Sequence, residues 1–269
     1  MILTPNTLFI TLAILLLFTK PNVHAHTGLS TPCGRYQGAA GCPFPPPGQV
    51  VDVNINAPIG TNLAQVQQLC KTSVPYPFAS RTVYKAGDII QTAYSIGSWH
   101  GGGHCQWALS YDREKTWVVI KTEIRTCLRV TEETKNGYRV PVMLPKDAPS
   151  GNVTFMWLWI NAIGQRELYS NCADIRIEGR DGGSVKGVEP LIANYGPSNP
   201  VFPEFPTDEY PDLHELFATR RAVTINVKGS NSPSQIGTDP ASPPETSQPS
   251  RARRSILTYS SSLRTSGIV

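Results

Sequence analysis

The chain is 269 residues long, 40% apolar and 16% charged, with a formal charge of +4. So weak a positive balance offers no electrostatic grip on nucleic acid, and the length allows one sizeable core plus appendages. Six cysteines, none in a C-x-x-C pair, argue against zinc or dithiol redox chemistry and for disulfides formed in an oxidising compartment.

Met1–Ala25 reads as a secretory leader. Its apolar stretch, Leu8–Phe18, is 11 residues, too short to span a bilayer. Pro21 breaks the helix, and Val23 and Ala25 occupy the small-residue positions of a cleavage site after Ala25. Cleavage there makes His26 the first residue of a secreted, extracellular protein. No second apolar segment suits a membrane, and the C-terminus carries no lipid-anchor signal.

Residues 31–60 are rich in Pro and Gly and read as an irregular arm pinned by Cys33 and Cys42. The stretch 62–70, NLAQVQQLC, is predicted to form about two turns of helix. Then come strand-like runs with turn punctuation. TVYKAGDIIQTAYSI (82–96) predicts two short strands around a Gly-Asp turn. CQWALSYD (105–112) and TWVVIKTEI (116–124) predict a hairpin. YRVPVML (138–144) and NVTFMWLWIN (152–161) frame the turn PKDAPSG, and CADIRIEG (172–179) is a last strand. Short strands at this spacing predict an all-β, immunoglobulin-like or fibronectin-like antiparallel β-sandwich with long loops. Residues 26–178 form that domain, and 179–228 an extended Pro/Gly-rich arm packing on it, in which RAVTINV (221–227) adds an edge strand or packs as part of the arm. Ser, Pro, Thr and Arg dominate 229–269, which reads as a disordered tail. Asn152-Val153-Thr154 is an N-glycosylation sequon at a strand edge.

Behind the leader there are four histidines: His26, His100, His104 and His214. Two of them sit in SWHGGGHCQW (98–107). Neutral imidazole is a common ligand of copper and zinc. A terminal histidine adds its α-amine, which with its own Nδ1 closes a chelate ring on one metal ion. A third nitrogen from another histidine completes a T-shaped site that suits copper. Since the α-amine has a pKa near ~8, copper can displace its proton at mildly acidic to neutral pH.

HGGGHCQWALSYD (100–112), LPKDAPSG (144–151) and MWLWINAIGQRELYSNCA (156–173) resemble the fungal chitin-active lytic polysaccharide monooxygenases of the eleventh auxiliary-activity family. The matching positions include Trp157, Trp159, Asn161, Gly164, Arg166, Glu167, Tyr169, Asn171, Cys172 and Ala173. The resemblance covers about 26–178 and is strongest over 98–177. It implies one copper ion held by His26 and His100, with Tyr169 in the axial position. It also implies an insoluble β-linked polysaccharide substrate, chitin first, oxidised at C1 or C4. The partners would be an external electron donor and hydrogen peroxide or dioxygen, and the enzyme a monomer. Glu167 lies two residues before Tyr169, so in a strand both side chains face the same way. A carboxylate there can hydrogen-bond a bound oxygen species or tune its protonation; the plainer reading is a surface ion pair with Arg166. Trp157 and Trp159 are expected to pack in the core rather than to serve as substrate platforms.

Three features depart from the family pattern: Thr27, where an apolar residue is usual, the arm 31–60, and His104, where a small polar residue is usual. His104 reads either as an extra solvent-exposed group outside the ligand shell or as variation. Two other classes of protein fit parts of the sequence. One is a non-catalytic copper-binding protein, against which the Glu167 and Tyr169 pair argues. The other is a metal-free carbohydrate-binding or adhesive protein.

Six cysteines allow 15 pairings. Cys105 starts one strand of the predicted hairpin and Cys127 lies just past the end of its partner, so their bridge is the short-range choice. Cys172, three residues after Tyr169, is then expected to pair with Cys70, and Cys33 with Cys42.

Overall fold

A computed structural model of the chain describes residues 26–95, 97–135 and 137–230. The leader 1–25 and all but the first two residues of the tail 229–269 fall outside it. Among the described residues no helix is long and apolar enough to cross a membrane.

Among the described residues, eleven strands form two sheets of a β-sandwich. In chain order they are β1 (Leu29–Thr31), β2 (Gly60–Thr61), β3 (Thr82–Lys85), β4 (Ile89–Tyr94), β5 (Gly103–Ser110), β6 (Val118–Cys127), β7 (Arg139–Met143), β8 (Gly151–Asn161), β9 (Glu167–Glu178), β10 (Gly183–Val188) and β11 (Ala222–Val227). The small sheet has the order β1-β4-β7. The large one runs β11-β10-β6-β5-β8-β9-β2, with β3 added beside β9 as the parallel exception among antiparallel pairs.

The burial patterns explain the layering. β4 and β7 alternate between exposed and buried residues, as strands wet on one face do. In β5 every residue is buried, and so is β8 from Val153 onward. Their odd-numbered residues, Trp107, Leu109, Phe155, Trp157 and Trp159, face the small sheet with Ile90, Tyr94, Val140 and Val142. Their even-numbered residues, Ala108, Met156, Leu158 and Ile160, face the other way against Ile59, Ala193, Phe202 and Phe217. The large sheet is therefore covered on both faces, and the near-continuous apolar run of β8 is the sequence record of that double burial.

Both strands of 82–96 are present, but they part company. β3 joins the large sheet, and β4 crosses to the small one. β7 and β8 likewise belong to different sheets. The helix predicted over 62–70 does not form. So short a helix is marginal without packing, and here Leu63 and Val66 are exposed. The backbone takes partners from the strand edge instead, with the N–H groups of Val66 and Gln67 both donating to the Ile59 carbonyl. Cys70, at its end, is tied to Cys172. The other bridges join Cys33 to Cys42 and Cys105 to Cys127. β10 was not anticipated, because GSVKGV has a single well-buried apolar residue, Val185. Its Gly187 lies so close to β6 that a Cβ there would stand 2.6 Å from the Val119 carbonyl oxygen. β11 then pairs along the whole of β10 as the sheet edge.

The arm 31–60 is fastened by a buried charge. Asp174, on β9, accepts Arg35 Nε at 2.9 Å and Nη2 at 2.7 Å, and it also accepts the Tyr76 N–H at 2.7 Å. Arg35 further donates to Glu114 and to the Thr72 carbonyl. Arg35→Met would leave the buried Asp174 carboxylate with Arg81, 3.9 Å away, as its remaining cation, and a loss of about 3 kcal/mol, the low end for breaking a buried pair, is expected. Urea unfolding monitored by tryptophan fluorescence checks this; a loss below about 1 kcal/mol would place the pair among exposed ion pairs.

Candidate metal centre

Two loops and one strand meet at the open end of the sandwich. His26 precedes β1, His100 lies in the turn between β4 and β5, and Tyr169 stands on β9 facing the inner core. His26 Nδ1 is 3.4 Å from Tyr169 Oη, and His100 Nε2 is 3.2 Å from the same oxygen. Glu167 Oε2 accepts the Tyr169 hydroxyl at 2.8 Å and lies 3.8 Å from His100 Nε2. The period-2 geometry of β9 thus delivers both side chains to one place. Arg166 turns away from Glu167: it donates to the carbonyls of Asn161, Gly164 and Pro203.

The HGGG run makes this position reachable. His100 has φ 43° and Gly103 φ 155°. A Cβ at Gly103 would lie 2.1 Å from the Ile160 carbonyl oxygen, so only glycine lets the loop press onto β8. His100 is then clasped to Ile163, whose N–H donates to the His100 carbonyl at 2.8 Å. In return the His100 ring pairs its Nδ1 with the Ile163 carbonyl at 3.0 Å. That contact holds the proton on Nδ1 and turns the Nε2 lone pair toward Tyr169. Asn161 organises the opposing loop. Its Nδ2 donates to the carbonyls of Ile163 and Gln165, and its Oδ1 accepts the Glu167 N–H. The sequence signal for Asn161 is an amide ending the apolar run 155–160, since a buried amide needs backbone partners.

Burial and the adjacent Glu167 carboxylate push the Tyr169 phenol above its ordinary pKa. Its proton is directed at Glu167, so the phenol oxygen keeps a lone pair on the side where His26 Nδ1 and His100 Nε2 approach it. Such a convergence of nitrogen and oxygen donors suits a cation. The imidazole pair favours a borderline metal such as copper, and removal of the residues before His26 would add the α-amine. Trp159 backs the site from within, its ring centroid 4.6 Å from that of Tyr169. Trp157 and Trp159 are both fully buried, so neither presents a platform to solvent.

His104 is not solvent-exposed, contrary to one reading of the sequence. Gly103 ends the turn, and the pleat of β5 points His104 to the opposite face of the sheet, where it is 1% exposed among Phe202, Phe205 and Phe217. Its Nδ1 accepts the Arg125 N–H at 3.1 Å, which leaves the proton on Nε2, 3.6 Å from Asp212. Asp212, His214 and Glu215 make a separate acidic cluster there. Arg125 donates to both oxygens of Asp212, and its cation stands where a metal ion would need to be.

Burial lowers the His104 pKa to about 4, against the pull of Asp212. A base with a depressed folded pKa favours folding above its unfolded pKa, and that advantage is lost as pH falls toward the folded value. Stability is therefore expected to drop by about 3 kcal/mol between pH ~6.5 and ~4. Denaturant titrations across that window check it. His104→Asn, which keeps an acceptor for the Arg125 N–H without titrating, should flatten the slope.

Relatives of this chain carry the same chemistry in their names. It is 33% identical over 155 residues to AA11 family lytic polysaccharide monooxygenase A of Aspergillus fumigatus, covering 56% of this chain and 67% of the relative. It is 30% identical over 145 residues to an AA11 family lytic polysaccharide monooxygenase of Aspergillus oryzae, covering 48% and 34%. It is 28% identical over 133 residues to lytic polysaccharide monooxygenase B of A. fumigatus, covering 45% and 32%. The match thus spans about a third of the length of the latter two. No protein-family profile matches. Among solved structures, a glycoside hydrolase family 61 member from Hypocrea jecorina aligns at 18% identity and TM-score 0.35 over 54% of this chain and 73% of its own. A cellulose-active polysaccharide monooxygenase from M. thermophila aligns at 17% and TM-score 0.37 over 61% and 80%.

Proposed function

The chain belongs to the AA11 family of lytic polysaccharide monooxygenases, copper-dependent enzymes that cleave polysaccharides oxidatively, and we propose that it is a secreted member acting on chitin, with His26, His100 and Tyr169 as the residues that hold copper. The observation that carries the reading is the convergence of His26 Nδ1 and His100 Nε2 on Tyr169 Oη. Bound copper supplies one-electron chemistry, taking an electron from an external donor and using dioxygen or hydrogen peroxide to oxidise the sugar at C1 or C4.

The chain's own residues set the terms of that chemistry. The Ile163 carbonyl fixes the tautomer and aim of His100. Glu167 accepts a hydrogen bond from the Tyr169 hydroxyl, and burial beside that carboxylate disfavours the phenolate, so Tyr169 would offer copper a neutral phenol oxygen. Glu167 also lies close enough to His100 to handle a proton at the open side of the site. The His100 side chain, 14% exposed, is near enough to the surface to be laid on a flat chain of sugar without a deep cleft. The leader is proposed to be removed after Ala25 and the enzyme to act as a monomer. Asn152, exposed at the start of β8, is proposed as a glycosylation site.

The test is mass spectrometry of soluble products from chitin, cellulose and other β-glucans, with protein beginning at His26, copper and ascorbate. C1- or C4-oxidised chito-oligosaccharides are expected. His100→Ala should lose more than the roughly 100-fold typical of disturbing an outer-sphere partner, because it removes a ligand itself. Oxidised products from a glucan alone would move the substrate away from chitin, and none from any substrate would favour a non-catalytic copper protein.

A further inference from the structure

His26 and His100 are separated by 74 positions in sequence, yet both must meet one metal ion. Something has to set the gap between the segments that bear them. Leu29 pairs with Tyr94 at the end of the β1–β4 ladder. Beyond it the lacing continues toward the site through side chains: the Gly28 N–H donates to Ser95 Oγ, and the Ser95 N–H donates to the Gly28 carbonyl, each at 2.9 Å. Next comes Thr27. It is 0% exposed, and its hydroxyl donates to the Ser98 carbonyl at 2.9 Å. Ser98 is two residues before His100, and Thr27 is one after His26. Opposite, Gly97 lies so tightly against His26 that a Cβ there would fall 1.9 Å from the His26 carbonyl oxygen. The two ligand-bearing segments thus touch at their backbones, and the buried Thr27 side chain bonds one to the other.

We propose that Thr27 is a positioning residue of the copper site: its hydroxyl, bonded to the Ser98 carbonyl, fixes the distance and angle between His26 and His100. The proposal rests on the copper reading above. It requires the hydroxyl itself, because valine has the same shape and burial and lacks only the donor. The part-buried Ser98 carbonyl, losing that donor, takes another partner, and the backbone that leads into His100 shifts with it. Such a shift moves His100 relative to His26 while the sandwich stays folded.

The experiment uses protein beginning at His26 and compares wild type with Thr27→Val and Thr27→Ser. Three things are read: Cu(II) affinity by competition titration, the electron paramagnetic resonance spectrum, and the melting of the metal-free protein. T27V is expected to weaken Cu(II) binding by about tenfold to a hundredfold, the usual cost of losing an outer-sphere partner, and to change the copper hyperfine pattern. T27S restores the wild-type spectrum and affinity. Should T27V not fold, Thr27→Ala read against T27S isolates the hydroxyl, since only the latter keeps it. Wild-type affinity and spectrum in T27V would overturn the proposal, as would a T27S protein that behaves like T27V, which assigns the effect to the methyl group. A wild-type protein that binds no copper overturns the site reading together with the tether.

Discussion

The register between β8 and β9 is the constraint on which the rest depends. Trp159 stands opposite Tyr169, and Trp157 opposite Asn171. Because side chains alternate along a strand, a slip of one residue would turn Tyr169 and Glu167 out of the inner face and bring Leu168 in. The present register is enforced from both sides. Inward, Trp157, Trp159 and Tyr169 pack with Tyr94 and Ala173. Outward, Leu168, Ile160 and Cys172 pack with Ile59 and Phe202, and the Cys70 bridge secures Cys172. β9 is buried from Glu167 to Ile175, and such complete packing suits a site whose side chains come from three distant parts of the chain.

β9 also positions the segment that bears His26. Asn171 accepts the Leu29 N–H through Oδ1 and donates to the Ile55 carbonyl through Nδ2. Lys71 donates in turn to the carbonyls of Asn54, Ile55 and Ala57. Its burial lowers the ammonium pKa to about 8. Arg35 and Asp174 hold the next stretch of the arm. The Pro/Gly-rich segment is irregular in backbone, yet Arg35, Ile55 and Ile59 tie it to one strand, and Leu29 next to the His26 segment is tied there as well.

Much of this was legible in the sequence. The strands of the sandwich follow from alternation and turn residues, and the Cys105–Cys127 pairing from hairpin geometry. The joint placement of Glu167 and Tyr169 follows from a spacing of two. What the sequence hid has physical causes. β10 has too little apolar surface to be recognised, and it exists because β11 and β6 give its backbone partners. The expected helix at 62–70 lost to a strand edge that its local pattern does not encode. His104 shares a loop sequence with His100, but the turn through Gly103 sends the two rings to opposite faces of the sheet. No one-dimensional pattern distinguishes them; only the left-handed backbone at His100 and the pleat of β5 do.

His26, once freed at its own main-chain nitrogen, is proposed to close a copper site with His100. The most direct measurement is Cu(II) affinity, by titration calorimetry, of protein beginning at His26 and of the same protein carrying one extra residue before it. Tight binding of one copper by the first is expected, and a loss of orders of magnitude in the second, because the α-amine becomes an amide and the chelate ring cannot close. Equal affinities in the two forms would contradict it.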